Sequence, residues 1–291
     1  MVNECYIPRT LEEALKIRKE TKARPLAGGS DLMVQYYRGT AVVPRFPFPV
    51  MIITHLDELK GISIDSDGTV TIGALATSAE IAESDQVPYF VRQAASRMGA
   101  VSLRNSATIG GNLGNASPKG DLPQPLILLD ASVVLRSADG VREIPVDDYI
   151  VGSKKTLLQD DELIVAVKIP KVEYTYGLYR KIGTRKANAI SKLTLSSLIT
   201  IEDGIITDFR ASSGAAGPKV ARSREVEELI IGRKLSELEA LIPAVTEGWD
   251  KVISPHAMPE FRRGTTRRLL TSFLTWVKDC PKEKYFPQEV V

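Results

Sequence analysis

Two stretches of this 291-residue chain gather residue types that can hold an anion. The first is Pro25-Leu26-Ala27-Gly28-Gly29-Ser30-Asp31-Leu32. The second is Thr108-Ile109-Gly110-Gly111-Asn112, at the head of a run of glycine, asparagine and small hydroxyl residues that ends at Asp121. A surface turn needs one or two such residues, not this many. Glycine lets the backbone approach a bound group closely, since a Cβ would keep phosphate oxygens from the amides. In the first stretch a brief strand leads through Gly-Gly into a helix opened by Ser30-Asp31. Free N–H groups and the positive end of a helix dipole then face one point. Either glycine pair alone reads as a tight turn. Together they read as two halves of one pyrophosphate cradle, a backbone with N–H groups pointing outward and the Ser30 and Thr108 hydroxyls as extra donors. A carboxylate is repelled by phosphate, so Asp121 is either the N-cap of a helix beginning near Leu122 or an acceptor for ribose or ribityl hydroxyls.

Other chemistries find little support. His55 and His256 stand alone, and no nucleophile motif or metal-ligand spacing accompanies them. Two cysteines, Cys5 and Cys280, cannot ligate an iron–sulfur cluster or build a Cys-rich zinc site. No Gly-x-Gly-x-x-Gly follows a strand and no P-loop pattern exists, which argues against a dinucleotide fold of the Rossmann type. Net charge is +2, with no global case for nucleic acid. The local cluster Arg262, Arg263, Arg267, Arg268 reads as the solvated face of a helix. No apolar run approaches the roughly 20 residues of a membrane span, and no secretory signal is visible, so the expected location is the cytoplasm. Any chemistry is expected to come from a cofactor.

The elements that must position the cradle follow from the pattern. Thr10, with Glu13 three residues on, predicts a capped helix over 11–20. Asp65-Ser66-Asp67-Gly68 and Ala138-Asp139-Gly140 each predict a hairpin. Thr77 or Ser78 caps a helix over 79–83, a second helix covers about 88–98, and a strand over 163–169 is stopped by Pro170. Beyond this point three strands, 176–182, 193–201 and 205–212, give way to helices over about 221–231, 236–247 and 259–279. The order predicts an α+β protein with a boundary near residue 175. An N-terminal domain then covers 1–175, with subdomains of about 1–56 and 57–175, and a C-terminal α+β domain covers 176–291.

The two glycine motifs, with Asn115-Ala116-Ser117-Pro118 and Asp121-Leu122, resemble the FAD-pyrophosphate motifs of the molybdenum hydroxylase flavoproteins. This is the FAD-binding, or medium, subunit of the xanthine dehydrogenase and carbon monoxide dehydrogenase type. The resemblance continues through Asp161-Glu162-Leu163-Ile164, through Lys181 to Lys192, and to Phe261-Arg262-Arg263. It implies a two-part FAD domain of the vanillyl-alcohol-oxidase type and a C-terminal α+β domain with a three-stranded antiparallel sheet. It implies an oxidoreductase complex, a heterotrimer or its dimer. A small subunit carries [2Fe–2S] clusters, a large subunit carries molybdopterin, and this chain passes electrons from FAD to NAD or another acceptor. Carried over by position, residues 25–32, Thr108, Ile109, Gly110, Gly111 and Asn112 wrap the pyrophosphate. Asp121, Ile164 and Lys181 contact FAD, and Met98 matches a further contact by spacing. No catalytic or metal-ligating residue is expected on this chain. Gly114 stands where cysteine is common, Lys119-Gly120 replaces a small pair, and no His or Cys lies in the motifs, so the flavin is expected to be non-covalent. Two rival readings are a stand-alone flavin oxidoreductase and a non-catalytic scaffold or maturation protein. The holoenzyme's substrate and the role of Lys119 are not legible.

Overall fold

Thr10 caps the first helix as its spacing predicts. In a computed structural model describing residues 4–42 and 44–280, its hydroxyl accepts from the Glu13 N–H at 3.2 Å, and α1 runs Leu11–Thr21. Glu13 reaches back to the Arg9 N–H at 2.6 Å, one residue short of the reciprocal bond of a full capping box. Leu11, Ala14 and Leu15 bury their face against Met51, Ile53, Leu56 and Leu59. Around this helix β1 (Cys5–Tyr6), β2 (Arg24–Leu26) and β3 (Val50–Ile52) form a parallel sheet in the order β1-β3-β2. The short α2 (Leu32–Gln35) follows β2.

The predicted hairpin at Asp65–Gly68 joins β4 (Ile62–Ile64) to β5 (Val70–Gly73). Next come α3 (Ser78–Glu83), opened by a complete Thr77–Glu80 capping box, α4 (Tyr89–Ser96), α5 (Val101–Arg104) and α6 (Ile109–Asn115). The second hairpin pairs β6 (Ser132–Arg136) with β7 (Val141–Pro145). After α8 (Val146–Tyr149), the small antiparallel pair β8 (Ile150–Gly152) and β9 (Lys155–Thr156) leads to β10 (Leu163–Ile169). β10 lies at the centre of a five-stranded antiparallel sheet ordered β4-β5-β10-β6-β7, and Ile72, Val133, Leu135 and Val167 are fully buried on it. A bulge between Ile164 and Ala166 frees the Val165 carbonyl to accept from the Ala74 N–H at 3.0 Å.

By contact the chain divides into two units. The first comprises residues up to Ser117 and Asp130–Lys171, the second Pro118–Leu129 and the chain from Val172 onward. The second unit contains α7 (Pro123–Leu128) and an antiparallel sheet of β11 (Tyr176–Ile182), β12 (Leu193–Glu202) and β13 (Ile205–Gly214) in chain order. Leu195, Phe209 and Ala211 of this sheet pack against Val245 and Trp249 of α10 (Leu238–Val252) and Phe273 and Leu274 of α11 (Pro259–Asp279). The helix expected over 221–231 is shorter: only α9 (Arg224–Glu227) is regular. Ala221 instead exchanges backbone bonds with Ser213 at 2.8 and 2.9 Å, which holds the chain extended until Ser223 caps the turn. Arg263, Arg267 and Arg268 are exposed as expected of a solvated face, but Arg262 is buried.

Glu227 is 2% exposed and accepts from Arg222 Nε at 2.8 Å and from the Ala211 N–H at 3.0 Å. The same guanidinium reaches the carbonyls of Ile127 and Leu128, which ties α7 to α9. Removing one member of a buried pair strands the other charge. Glu227→Ala is therefore expected to cost about 3–5 kcal/mol, read as a lower urea midpoint at unchanged m-value.

Candidate functional site

Both glycine stretches meet in the first unit. Pro25–Leu32 form one side of a cleft of about 520 Å³, and Thr108, Gly110, Gly111 and Asn112 form another, with Met98 and Ile164 on its walls. The volume lies within the range of small-molecule and cofactor sites. What brings the walls together is backbone contact. A Cβ on Gly28 would lie 1.5 Å from the Ser106 carbonyl oxygen, so only glycine permits the approach. Gly29 then turns the chain with φ +65°, a left-handed conformation that costs glycine little.

The consequence is a row of open donors. Among the described residues, the N–H groups of Gly28, Gly29, Ser30, Asp31 and Leu32 donate to no protein acceptor, and the Ser30 hydroxyl has none either. Successive unpaired amides at the mouth of a cleft make a concavity suited to an anion.

The second stretch differs from the expected outward-facing backbone. Ile109–Asn115 is helical despite three glycines. Its first-turn amides are all engaged: Ile109 with Ala76 O (3.0 Å), Gly110 with Ala74 O (2.9 Å), Gly111 with Thr108 Oγ1 (3.0 Å) and Asn112 with Thr108 O (2.9 Å). The physical reason is that Thr108 caps the helix while burial of Ile109 and Leu113 outweighs the glycine propensity. Ile109 is fully buried and does not line the cleft. Asn112 does, and its buried Oδ1 has no partner among the described residues. An unpaired buried acceptor suits a hydroxyl or amine of a ligand, not a phosphate oxygen. Met98 accepts from Ser78 Oγ at 3.4 Å.

Sequence reasoning missed several lining residues. The Arg24 guanidinium lies 4.9 Å from the centroid of Phe48, whose ring is stacked on Phe46, and both Arg24 and Phe48 line the cleft. Arg24 immediately precedes the first glycine stretch; Phe48, far along the chain, gave no signal. Gln35 of α2 donates to Asn115 Oδ1 of α6 at 3.3 Å. Arg18, also lining, donates to the carbonyls of Glu162 (3.2 Å), Lys22 (2.9 Å) and Ala23 (3.0 Å). Burial pushes the Glu162 carboxyl up, but bonds from Arg142 (2.5 and 2.7 Å) and the Gln159 N–H (2.8 Å) outweigh it and hold the group below the usual glutamate range.

Asp121 and Lys181 lie in the second unit, where they bind each other. Lys181 Nζ donates to Asp121 Oδ2 at 2.6 Å, Ser191 Oγ donates to Oδ1 at 2.5 Å, and both charged side chains are 7% exposed. Burial drives the Asp121 pKa upward against these partners. Among the described residues, no cluster of His, Cys, Asp and Glu could hold a metal ion. His55 is structural: its Nε2 is bonded to the Pro8 carbonyl at 2.5 Å.

Residues 1–172 match the family model "FAD binding domain in molybdopterin dehydrogenase", and residues 178–277 match "CO dehydrogenase flavoprotein C-terminal domain". The chain is 31% identical over 255 residues to the nicotinate dehydrogenase FAD-subunit of Eubacterium barkeri, covering 82% of this chain and 84% of that one. It is 30% identical over 273 residues to the glyceraldehyde dehydrogenase medium chain of Sulfolobus acidocaldarius, covering 91% and 93%. In fold it is similar to a chain of carbon monoxide dehydrogenase from Hydrogenophaga pseudoflava, with TM-score 0.83 at 21% identity and coverage of 94% and 97%.

Two outcomes test this geometry. Gly28→Ala must push the walls apart and is expected to cost about 1–3 kcal/mol or more, while Gly140→Ala, with nothing within 4 Å of the new Cβ, stays within about 0.5 kcal/mol; thermal melts compare them. Glu162 has a folded pKa below its unfolded value, so its contribution is present above the unfolded value and is lost as the pH falls. Wild-type stability is thus expected to drop as the pH falls through about 4.5 and below, and Glu162→Gln is expected to flatten that acid limb.

Proposed function

The chain belongs to the molybdopterin-dehydrogenase FAD-binding family, and from that premise we propose that the first-unit cleft holds the FAD of this oxidoreductase subunit. The observation that carries the reading is the row of unpaired amides from Gly28 to Leu32 beside the unpaired Asn112 Oδ1. Donors without acceptors and an acceptor without donors fit the two halves of a dinucleotide, anionic pyrophosphate and hydroxyl-bearing sugar. When bound, FAD supplies the ability to take up electrons singly and release them in pairs.

This chain's residues bind and orient. The Gly28–Leu32 amides and Ser30 hydroxyl hold the pyrophosphate. Asn112 accepts from a sugar-like hydroxyl or an amine. Met98 and Ile164 shield a planar ring from water. No side chain in the cleft is needed as an acid, a base or a nucleophile. In this reading the electrons come from [2Fe–2S] clusters of a small partner subunit in a complex with a molybdopterin-bearing large subunit. They leave for NAD or another acceptor, in a cytoplasmic heterotrimer or its dimer. Relatives named as FAD-subunits and medium chains of dehydrogenases support this, as does a chain with, among the described residues, no helix long and apolar enough to cross a membrane.

Purified protein is expected to show a flavin absorption spectrum and to release FAD on mild denaturation. A colourless protein that takes up no FAD on reconstitution overturns the reading. Gly111→Val is expected to weaken FAD binding by about tenfold or more, a loss of about 1.4 kcal/mol at least. Gly111 lines the cleft, and a Cβ there would lie 2.9 Å from the Thr108 hydroxyl. Flavin fluorescence quenching reads the affinity. Purification from native cells, with iron and molybdenum analysis of what accompanies the chain, tests the partner set.

A further inference from the structure

One wall of the first-unit cleft carries a cation with no anion beside it. Arg24 lines the cleft and is exposed, and among the described residues its side chain forms no hydrogen bond or ion pair. Its guanidinium carbon lies 4.9 Å from the centroid of the Phe48 ring, which lines the same cleft. A guanidinium within about 6 Å of a ring face is held there by the ring quadrupole.

The ring itself is braced. Phe46 stacks on it with centroids 5.8 Å apart, and Tyr36 meets it edge-on at 5.5 Å and 88°. Phe46 is buried, which roots the group in the protein. The backbone sets the two partners side by side: β2 pairs with β3 so that Arg24 lies opposite Val50, and the Arg24 N–H donates to the Pro49 carbonyl at 2.8 Å. Phe48 is the residue next to that bond. The outcome is a platform of ring and guanidinium that is ordered before any ligand arrives, so little ordering is left to be done on binding.

Position and chemistry say which part of a dinucleotide suits it. Four residues lead from Arg24 to Gly28, at most about 14 Å of chain, the reach of one nucleoside from the open amides. Arg18 donates to the carbonyls of Lys22 and Ala23, and both Arg18 and Lys22 line the cleft, so this end is cationic. Adenine is electron-rich and offers its π face to a cation. Isoalloxazine is electron-poor, being the part that takes up electrons, and suits the apolar Met98 and Ile164 better. A guanidinium is flat and stacks on a ring, which an ammonium does not.

We propose that Arg24 and Phe48 form the platform on which the adenine of the bound dinucleotide stacks, and that this contact makes the cleft select FAD over FMN. The inference rests on the reading of this cleft as the FAD site. FMN carries the isoalloxazine, the ribityl chain and one phosphate but no adenosine. It therefore meets the Gly28–Leu32 amides without reaching the platform.

The test uses the full chain, freed of flavin and titrated with FAD and with FMN while flavin fluorescence is followed. Wild type is expected to bind FAD more tightly than FMN. Arg24→Ala is expected to weaken FAD by about tenfold, the scale of one base stacked on a side chain, and to move FMN by less than about twofold. Arg24→Lys, which keeps the charge and loses the plane, is expected to fall between wild type and Arg24→Ala. Phe48→Leu is expected to weaken FAD in the same selective way; should it not fold, Arg24→Ala decides, since an exposed side chain is removed without disturbing the rings. Unchanged FAD affinity in Arg24→Ala overturns the platform. Equal weakening of FAD and FMN overturns it in favour of a contact with the phosphate or the isoalloxazine. Failure of the FAD reading looks different, because wild type then takes up neither flavin. In that case ADP is titrated against the same chain: binding that Arg24→Ala weakens supports the platform, and no binding, or equal binding in both, overturns it.

Discussion

The first unit depends on one backbone-on-backbone contact, Gly28 against the carbonyl of Ser106. No side chain intervenes, so the width of the cleft is set by the main chain and cannot be adjusted by choosing another rotamer. Ala107, the next residue, is tied by its carbonyl to the Ser78 N–H at 2.8 Å and the Ser78 hydroxyl at 3.2 Å. Thr108 is bridged to Thr77. The contact therefore links the Gly28 loop to the start of α3 and to the cap of α6 at once.

The same contact explains why donors accumulate on one side only. With Gly28 pressed on Ser106 and Gly29 at positive φ, the amides that follow have no neighbouring carbonyl to bond. Those of α6 sit behind the wall and bond Ala74, Ala76 and Thr108 instead. The two glycine stretches, alike in composition, thus do different work. One presents N–H groups. The other uses glycine for closeness: a Cβ on Gly110 would lie 2.8 Å from both the carbonyl oxygen and the Cβ of Ala74. In the second unit, charge is buried in pairs, Asp121 with Lys181 and Arg222 with Glu227. Pairing and extra hydrogen bonds make such burial tolerable.

Much of the architecture was legible. An apolar run stopped by Pro170 and two Asp-Gly turns place β10 and both hairpins within a residue or two, because turn chemistry and strand stops are local. The Thr10 and Thr77 caps were legible for the same reason. α6 was not, since each glycine in a helix interior costs about 1 kcal/mol, and the Thr108 cap with the burial of Ile109 and Leu113 offsets it. α9 is shorter than its pattern predicts because Ala221 bonds the end of β13 at Ser213, a bridge that helical spacing does not reveal and that competes with the helix.

By itself the sequence determined which residue types are available and where they recur: two glycine-rich stretches, the strands that precede and support them, and a family. Only the tertiary structure decided which amides are left open, because an N–H is free or taken according to which carbonyl lies beside it, and that neighbour is set by long-range packing. It likewise decided that Arg24 and Phe48 share a wall and that Asp121 and Lys181 hold each other. Such pairings join positions too distant in the chain for any spacing rule to relate.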